Sequence, residues 1–211
     1  VGDLDGKSTF SHSEADADYL VKVGTENRQH VMGHISLLGY QGPMITPLCS
    51  GAADEAAIGE PQEVLLTEWA QQCQKQGGLV VLPHFPDPRA ENAATIVSGA
   101  VDAIEMHAFA GSIDFYSLAN WYRYLSCGYQ IPLSGGTDKM SASMEIGRIR
   151  TYSKLRTGDL FNYETWQDSI RGGNTFVTIG PLIEFGINGQ EAGSRIKLNK
   201  SGGKLTVSWR A

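Results

Sequence analysis

The chain has 211 residues, 41% of them hydrophobic, which is enough to bury the core of one domain or of one and a fraction. Lysine and arginine number 17 against 23 aspartates and glutamates, so the surface is mildly acidic and lacks the electrostatic footprint of a nucleic-acid-binding protein. No run of 18 apolar residues occurs that would span a membrane, and the opening VGDLDGKSTF has neither the basic start nor the apolar stretch of a signal peptide.

In chain order, DYLVKVG and HVMGHISLLGY have the pattern of two strands separated by the polar TENRQ, and residues 41–63, rich in Gly, Pro and Ala, have that of a long loop. LTEWAQQCQKQGG predicts a helix with Thr67 as N-cap and Gly77 and Gly78 as stops. LVVLP then predicts a buried strand, ENAATIVSG a short helix, VDAIEMHAF a strand, FYSLANWYRYLSCG an amphipathic helix and IPLSGG another strand. Such alternation predicts an α/β fold with parallel strands covered by helices, as a barrel or an open doubly wound sheet. After the helix YETWQDSIRGG the pattern changes to short strands, with an Asn188-Gly189 turn and no helix between them, so a second, all-β unit is expected from about residue 181. Both ends of the chain look cut: it starts on Val, and GKLTVSWRA stops inside a strand pattern, which leaves localisation open between cytoplasm and export. Cys49, Cys73 and Cys127 are odd in number and widely spaced, which supports neither a disulfide framework nor a zinc ribbon and predicts inert thiols.

In parallel α/β folds the loops at the C-terminal ends of strands carry the chemistry. His84 follows LVVLP directly, Asp138 follows IPLSGGT, Glu26 follows DYLVKVGT, and Glu105 and His107 lie at the end of VDAIEMHAF. His34 sits at the start of its strand, so its place depends on how the preceding strand pairs. Imidazoles with carboxylates and no thiolate suit Zn, Mn or Fe, which would acidify a coordinated water for hydrolysis. Taken singly, each residue has an ordinary structural role open to it: a hydrogen-bonded His, a capping Asp, a surface Glu. HVMGH places His30 and His34 four apart, but it lacks the glutamate of a helical zinc motif and runs into a strand, so His30 is only a spare ligand. DKMSASMEIGRIRTYSKLR is basic; a solvated face explains it, and Lys139 is the candidate if it meets an anionic substrate. No nucleophile elbow or phosphate-binding glycine loop is present.

VGTENRQHVMGHISLLGY, GGLVVLPHF, VDAIEM and SGGTDKM, in this order and spacing, resemble the later motifs of the PHP (polymerase and histidinol phosphatase) superfamily, most of all its CehA/McbA-type metallohydrolase branch. The resemblance covers about residues 1–185. It implies a distorted, seven-stranded β/α barrel over residues 1–180, with the start of a β-sandwich domain over 181–211. It implies up to three divalent ions activating water against phosphoester, ester or carbamate/amide-like bonds, with Glu26, His34, His84 and Asp138 as ligands and Glu26 able to bridge. Glu105 matches a position near the site without an assigned role. The family's opening His-x-His is not in these residues, His12 having no partner two positions away, so a fragment without the first barrel motif is expected. Met140 stands where the family's last motif has His, and a thioether is a poor ligand for Zn or Mn, which favours one or two ions. The leading expectation is a metal-dependent hydrolase acting on a small molecule; the alternative is a non-catalytic binding module with a reduced metal site.

Overall fold

The computed structural model describes residues 14–15, 19–29, 31–47, 64–87, 90–106 and 114–211; His12, His30, His107, Cys49 and residues 48–63 of the expected loop lie outside them. Two short strands, β1 (Glu14–Ala15) and β2 (Leu20–Val21), pair antiparallel ahead of the main sheet. That sheet begins with β3 (Gly24–Gln29) and β4 (Gly33–Leu38). The connection over residues 30–32 is too short to cross over to a parallel neighbour, so the strands form a hairpin with Gly24 opposite Leu38 and Gln29 opposite Gly33. The polar TENRQ, expected to separate strands, is therefore itself a strand. Its Asn27 and Gln29 are fully buried; the Gln29 amide donates to the Val64 carbonyl at 3.3 Å and accepts from the Met32 N–H at 3.1 Å.

After α1 (Leu66–Lys75), β5 (Leu79–Phe85) adds antiparallel to β4. A helical crossover then precedes each of the two parallel steps: α2 (Asn92–Val97) leads to β6 (Ala103–Met106), and α3 (Phe115–Ser126) to β7 (Leu133–Gly135). The order is β3-β4-β5-β6-β7. This overturns the expected β/α barrel. The described residues form an open, mixed five-stranded sheet, three two-stranded sheets and four short helices, and strands predominate. The hairpin is the physical reason: it makes the first half of the sheet antiparallel, and edge strands β3 and β7 do not meet to close a barrel.

One face of the sheet carries Ile35, Leu37, Val80, Leu82, Phe85, Ile104 and Met106, packed on α1 and α2. On α1, Leu66, Trp69, Ala70 and Cys73 fall at i, i+3, i+4 and i+7 and make one buried stripe. Each large side chain buried there contributes about 1.5–3 kcal/mol. Thr67 is not the cap of α1: the N-cap is Leu65, without a side-chain bond. Glu91 does the capping from 25 residues away, one carboxylate oxygen accepting from the Leu66 N–H at 2.7 Å and the other from the Thr67 hydroxyl at 2.9 Å, an anion at the positive end of the helix. Cys73, buried in this core, has its thiol pushed up to about 12 by burial and is inert as expected, whereas Cys127 is an exposed free thiol. α4 (Tyr163–Arg171) covers one end of the other face through Ile170 and Trp166.

The basic stretch contains a strand not expected from sequence, β8 (Arg150–Ser153), paired antiparallel with β9 (Thr175–Thr178). It lies beside β7: the Thr151 hydroxyl accepts from the Gly135 N–H at 2.7 Å and donates to the Gly135 carbonyl at 2.9 Å, and the Thr175 hydroxyl donates to the Leu133 carbonyl at 2.7 Å. β10 (Glu184–Ile187) pairs antiparallel with β11 (Val207–Arg210), and the expected turn at Asn188-Gly189 has φ of 51° and 75°. Among the described residues no helix is long and apolar enough to cross a membrane. Trp69 is 0% exposed and Trp209 73% exposed. Urea unfolding should therefore show Trp69→Ala destabilised by about 3–5 kcal/mol and Trp209→Ala changed by no more than about 0.5 kcal/mol.

Candidate metal centre

Directly opposed residues of an antiparallel pair share a face, so the register Glu26↔Ser36 and Arg28↔His34 puts all four side chains on one side of the sheet. Glu26 and His34 are diagonal neighbours there, which is how a histidine at the start of β4 meets a glutamate inside β3. Val81, opposite Ser36, and Glu105, two residues beyond Ala103, lie on that same side.

His84 does not reach this side by simple alternation. With Val81 on the site side, a regular strand would send Pro83 there and His84 into the core. The pairing of β5 with β6 breaks at this point: Leu82 opposes Ile104 but Phe85 opposes Met106, so β5 holds one residue more than its partner. In this bulge His84 adopts φ of 35°, a left-handed conformation uncommon outside glycine. Its imidazole comes round to Glu26 and His34, and Phe85, 1% exposed, returns to the core. Pro83 suits the position, since a residue without an N–H is tolerated in a central strand where the ladder is interrupted. The turn is held from several elements. The His84 N–H donates to Glu105 Oε2 at 2.9 Å and the Asp87 N–H to the His84 carbonyl at 3.1 Å. Ser117 of α3 donates to the Phe85 carbonyl at 2.6 Å and Asn92 of α2 to the Pro86 carbonyl at 3.0 Å.

His34 Nδ1 lies 3.0 Å from His84 Nε2, and each is 3.4 Å from Glu26 Oε1. One ligand atom from each residue falls within 4.8 Å of the others. Bonds of about 2.0–2.2 Å to a shared ion place neighbouring ligand atoms about 3–3.4 Å apart, so the three residues fit a divalent ion. The second ring nitrogen of His84, Nδ1, bonds the Asp87 carbonyl, which turns Nε2 toward Glu26 and His34. The histidine side chains are 9% and 12% exposed and Glu26 34%, so water reaches the cluster at the carboxylate.

Burial by itself would raise the Glu26 carboxyl, but hydrogen bonds from His34 and His84 and their positive charge outweigh it and hold it down at about 2. Burial would lower His84; its bonds to Glu26 and to the Asp87 carbonyl, with the charges of Glu26 and Asp138, leave it raised above its ordinary 6.5. Burial pushes Glu105 up, against the pull of the His84 amide.

Of the residues expected from sequence, the structure gathers Glu26, His34 and His84. Asp138, at φ of 44°, is near enough for its charge to act on His84 and Glu105, but its carboxylate is not among the three clustered ligand atoms. Lys139 is exposed, and its ammonium donates to the carbonyls of Ala142, at 3.4 Å, and Met144 within its own loop. Met140 is 62% exposed. Three residues near the centre escaped the sequence reading. Arg28 sits 3.9 Å from Glu26, Asp87 orients His84 through its carbonyl, and Gly136 leaves room for Glu105, whose Oε1 would be 2.0 Å from an added Cβ. The doubled glycine of SGGTD was the available sign of a close approach.

No protein-family model matches the chain, and no curated protein matches it. Among solved structures it is similar to PsfC from Pseudomonas syringae PB-5123, at 17% sequence identity and a TM-score of 0.46, over 84% of this chain and 69% of that one. A superposition at that level does not by itself place two chains in one fold.

The paired charges give the metal-free protein a defined pH dependence. Glu26 is more acidic folded than unfolded, so its contribution is present above its ordinary 4.5 and lost as pH falls through about 2. His84 holds its proton more tightly when folded, so its contribution is full below 6.5 and lost as pH rises through the raised value. In urea titrations, the stability difference between wild type and Glu26→Gln should be largest between pH 4.5 and 6.5 and shrink on both sides. A difference that is flat across this range would show that carboxylate and imidazole are not paired.

Proposed function

We propose that Glu26, His34 and His84 hold a divalent metal ion and that the chain carries the site of a metal-dependent hydrolase acting on phosphoester, ester or carbamate/amide-like bonds of a small molecule. The observation that carries this reading is the bulge in β5, which brings a third ligand-type side chain to the two that the β3–β4 hairpin already places together. Three protein ligands are the number found in catalytic sites, where further coordination positions are left to water and substrate; structural sites use four. The ordered motifs shared with the PHP superfamily support the same chemistry. That support rests on the ligand residues and not on a barrel.

The set of two imidazoles and a carboxylate suits Zn, Mn or Fe. A bound ion of this kind supplies Lewis acidity and lowers the pKa of water toward neutrality. The chain's own residues do the rest. Glu26 stays ionised above pH of about 2, so protons do not compete for it at neutral pH. The Asp87 carbonyl fixes which ring nitrogen His84 presents. Asp138, which already acts on His84 through its charge, is the residue we assign to a second ion if one is held.

The test is metal analysis of the full-length protein, with assay of the Mn- and Zn-loaded forms against p-nitrophenyl phosphate and p-nitrophenyl and naphthyl esters. The expected outcome is bound metal, a fall in Tm on chelation and metal-dependent turnover of at least one substrate. His34→Ala and His84→Ala should each weaken metal binding by about 100-fold or more, beyond the 10–100-fold typical of outer-shell partners. Bound metal without turnover of any ester would favour the non-catalytic module that Met140 suggests. A protein that holds no divalent ion, with Tm unchanged by chelator, would overturn the reading.

A further inference from the structure

Glu105 is a half-buried acid beside the proposed ligands that the motif resemblance leaves without a role, and its contacts supply one. We propose that Glu105 is a positioning residue of the centre: its carboxylate holds His84 in the bulge and does not ligate the ion. This inference rests on the metal-site reading above.

Pro83 and Pro86 have no N–H, so between Leu82 and Asp87 only His84 and Phe85 carry amide donors. The bulge takes His84 off the strand ladder, and a buried N–H without an acceptor costs the free energy of a lost hydrogen bond. Glu105 Oε2 accepts that N–H at 2.9 Å. The bond falls on a residue held at φ of 35°, where it helps to fix an otherwise uncommon backbone conformation. The other oxygen is committed too. Oε1 packs so closely on Gly136 that any side chain there would collide with it.

Glu105 thus lies on the central strand of three, β5, β6 and β7. Its carboxylate bears on the bulge of one neighbour and on Gly136, just past the end of the other and two residues before Asp138. It is absent from the group of ligand atoms that converge within 4.8 Å, although it is on the same face of the sheet. Glycine at 136 and glutamate at 105 therefore act as one fitting, and the direction of the His84 ring depends on both.

Isothermal titration of the full-length protein with Mn2+ and Zn2+, together with hydrogen exchange at the His84 amide of the metal-free protein, tests the proposal. Glu105→Ala should weaken metal binding by about 10–100-fold, as loss of an outer-shell partner does, and speed exchange at the His84 amide. Glu105→Gln keeps an oxygen able to accept from that amide and should bind within about threefold of wild type, the rescue that a mere loss of packing would not produce. Gly136→Ala, which retains every functional group but displaces the carboxylate, should reproduce the Glu105→Ala loss, and serves as the test if Glu105→Ala does not fold. Two results overturn the proposal: Glu105→Ala with unchanged metal affinity and unchanged amide exchange, or Glu105→Gln losing binding as fully as Glu105→Ala while the amide stays protected, the behaviour of a direct ligand. If the wild type binds neither ion, the metal reading fails, and the exchange measurement alone decides whether Glu105 holds His84.

Discussion

One extra residue in β5 is the constraint on which the candidate site depends. Without the shift between Leu82 and Phe85, regular alternation would keep a histidine at position 84 on the helix-covered face, against the packing that Leu82, Ile104 and Met106 form with α1. With it, the same strand serves both sides: Leu82 and Phe85 stay in the core while His84, between them, faces the other way. A left-handed backbone at a non-glycine residue persists only where its surroundings over-determine it. Here they do, because three other elements each bond the turn, α2 through Asn92, α3 through Ser117 and β6 through Glu105. Asp138, the other residue of the expected ligand set with positive φ, lies just past the end of β7. Strain in this half of the sheet is therefore gathered where ligand-type side chains are.

The charges arranged by this geometry form a layered set. Two largely buried imidazoles face a carboxylate that is one-third open to water, with Arg28 beyond it and Asp138 and Glu105 acting from the far side. Such a set gathers three carboxylates around a compact centre, so the proton that His84 holds more tightly relieves their repulsion, and a bound cation would do the same. The raised affinity of His84 for its proton and the lowered one of Glu26 are two signs of the same arrangement.

Much of the chain's local structure was legible because its apolar periodicity and its glycines agree. The helices within LTEWAQQCQKQGG, FYSLANWYRYLSCG and YETWQDSIRGG, and the strands of LVVLP and IPLSGG, lie where those patterns put them. Pairing was not legible. TENRQ looks like a connection because its inward-facing residues, Asn27 and Gln29, are polar, and only the tertiary structure buries them. Alternating strands and helices suggest a repeating parallel unit, but the three residues between β3 and β4 impose a hairpin, which composition does not encode. The capping of α1 was missed because the acid that does it arrives from another segment. His84 could be singled out as a histidine ending a strand, and Pro83 within an otherwise central strand was a readable sign of a bulge. The meeting of Glu26 with His34 needed the register, which alternation alone leaves undetermined.

The threonines beside β7 have a bearing on how the protein behaves in a crowd. A strand at the border of a sheet exposes main-chain donors and acceptors that any passing extended segment can extend, the usual first step of aggregation. On β7 these groups are occupied by hydroxyls: Thr151 takes both polar groups of Gly135 and Thr175 takes the carbonyl of Leu133. A hydroxyl satisfies the backbone without presenting a further strand-like edge, so sheet growth stops there. The end of β7 nearest Asp138 thus offers a passing segment fewer free main-chain groups to pair with than a bare edge would.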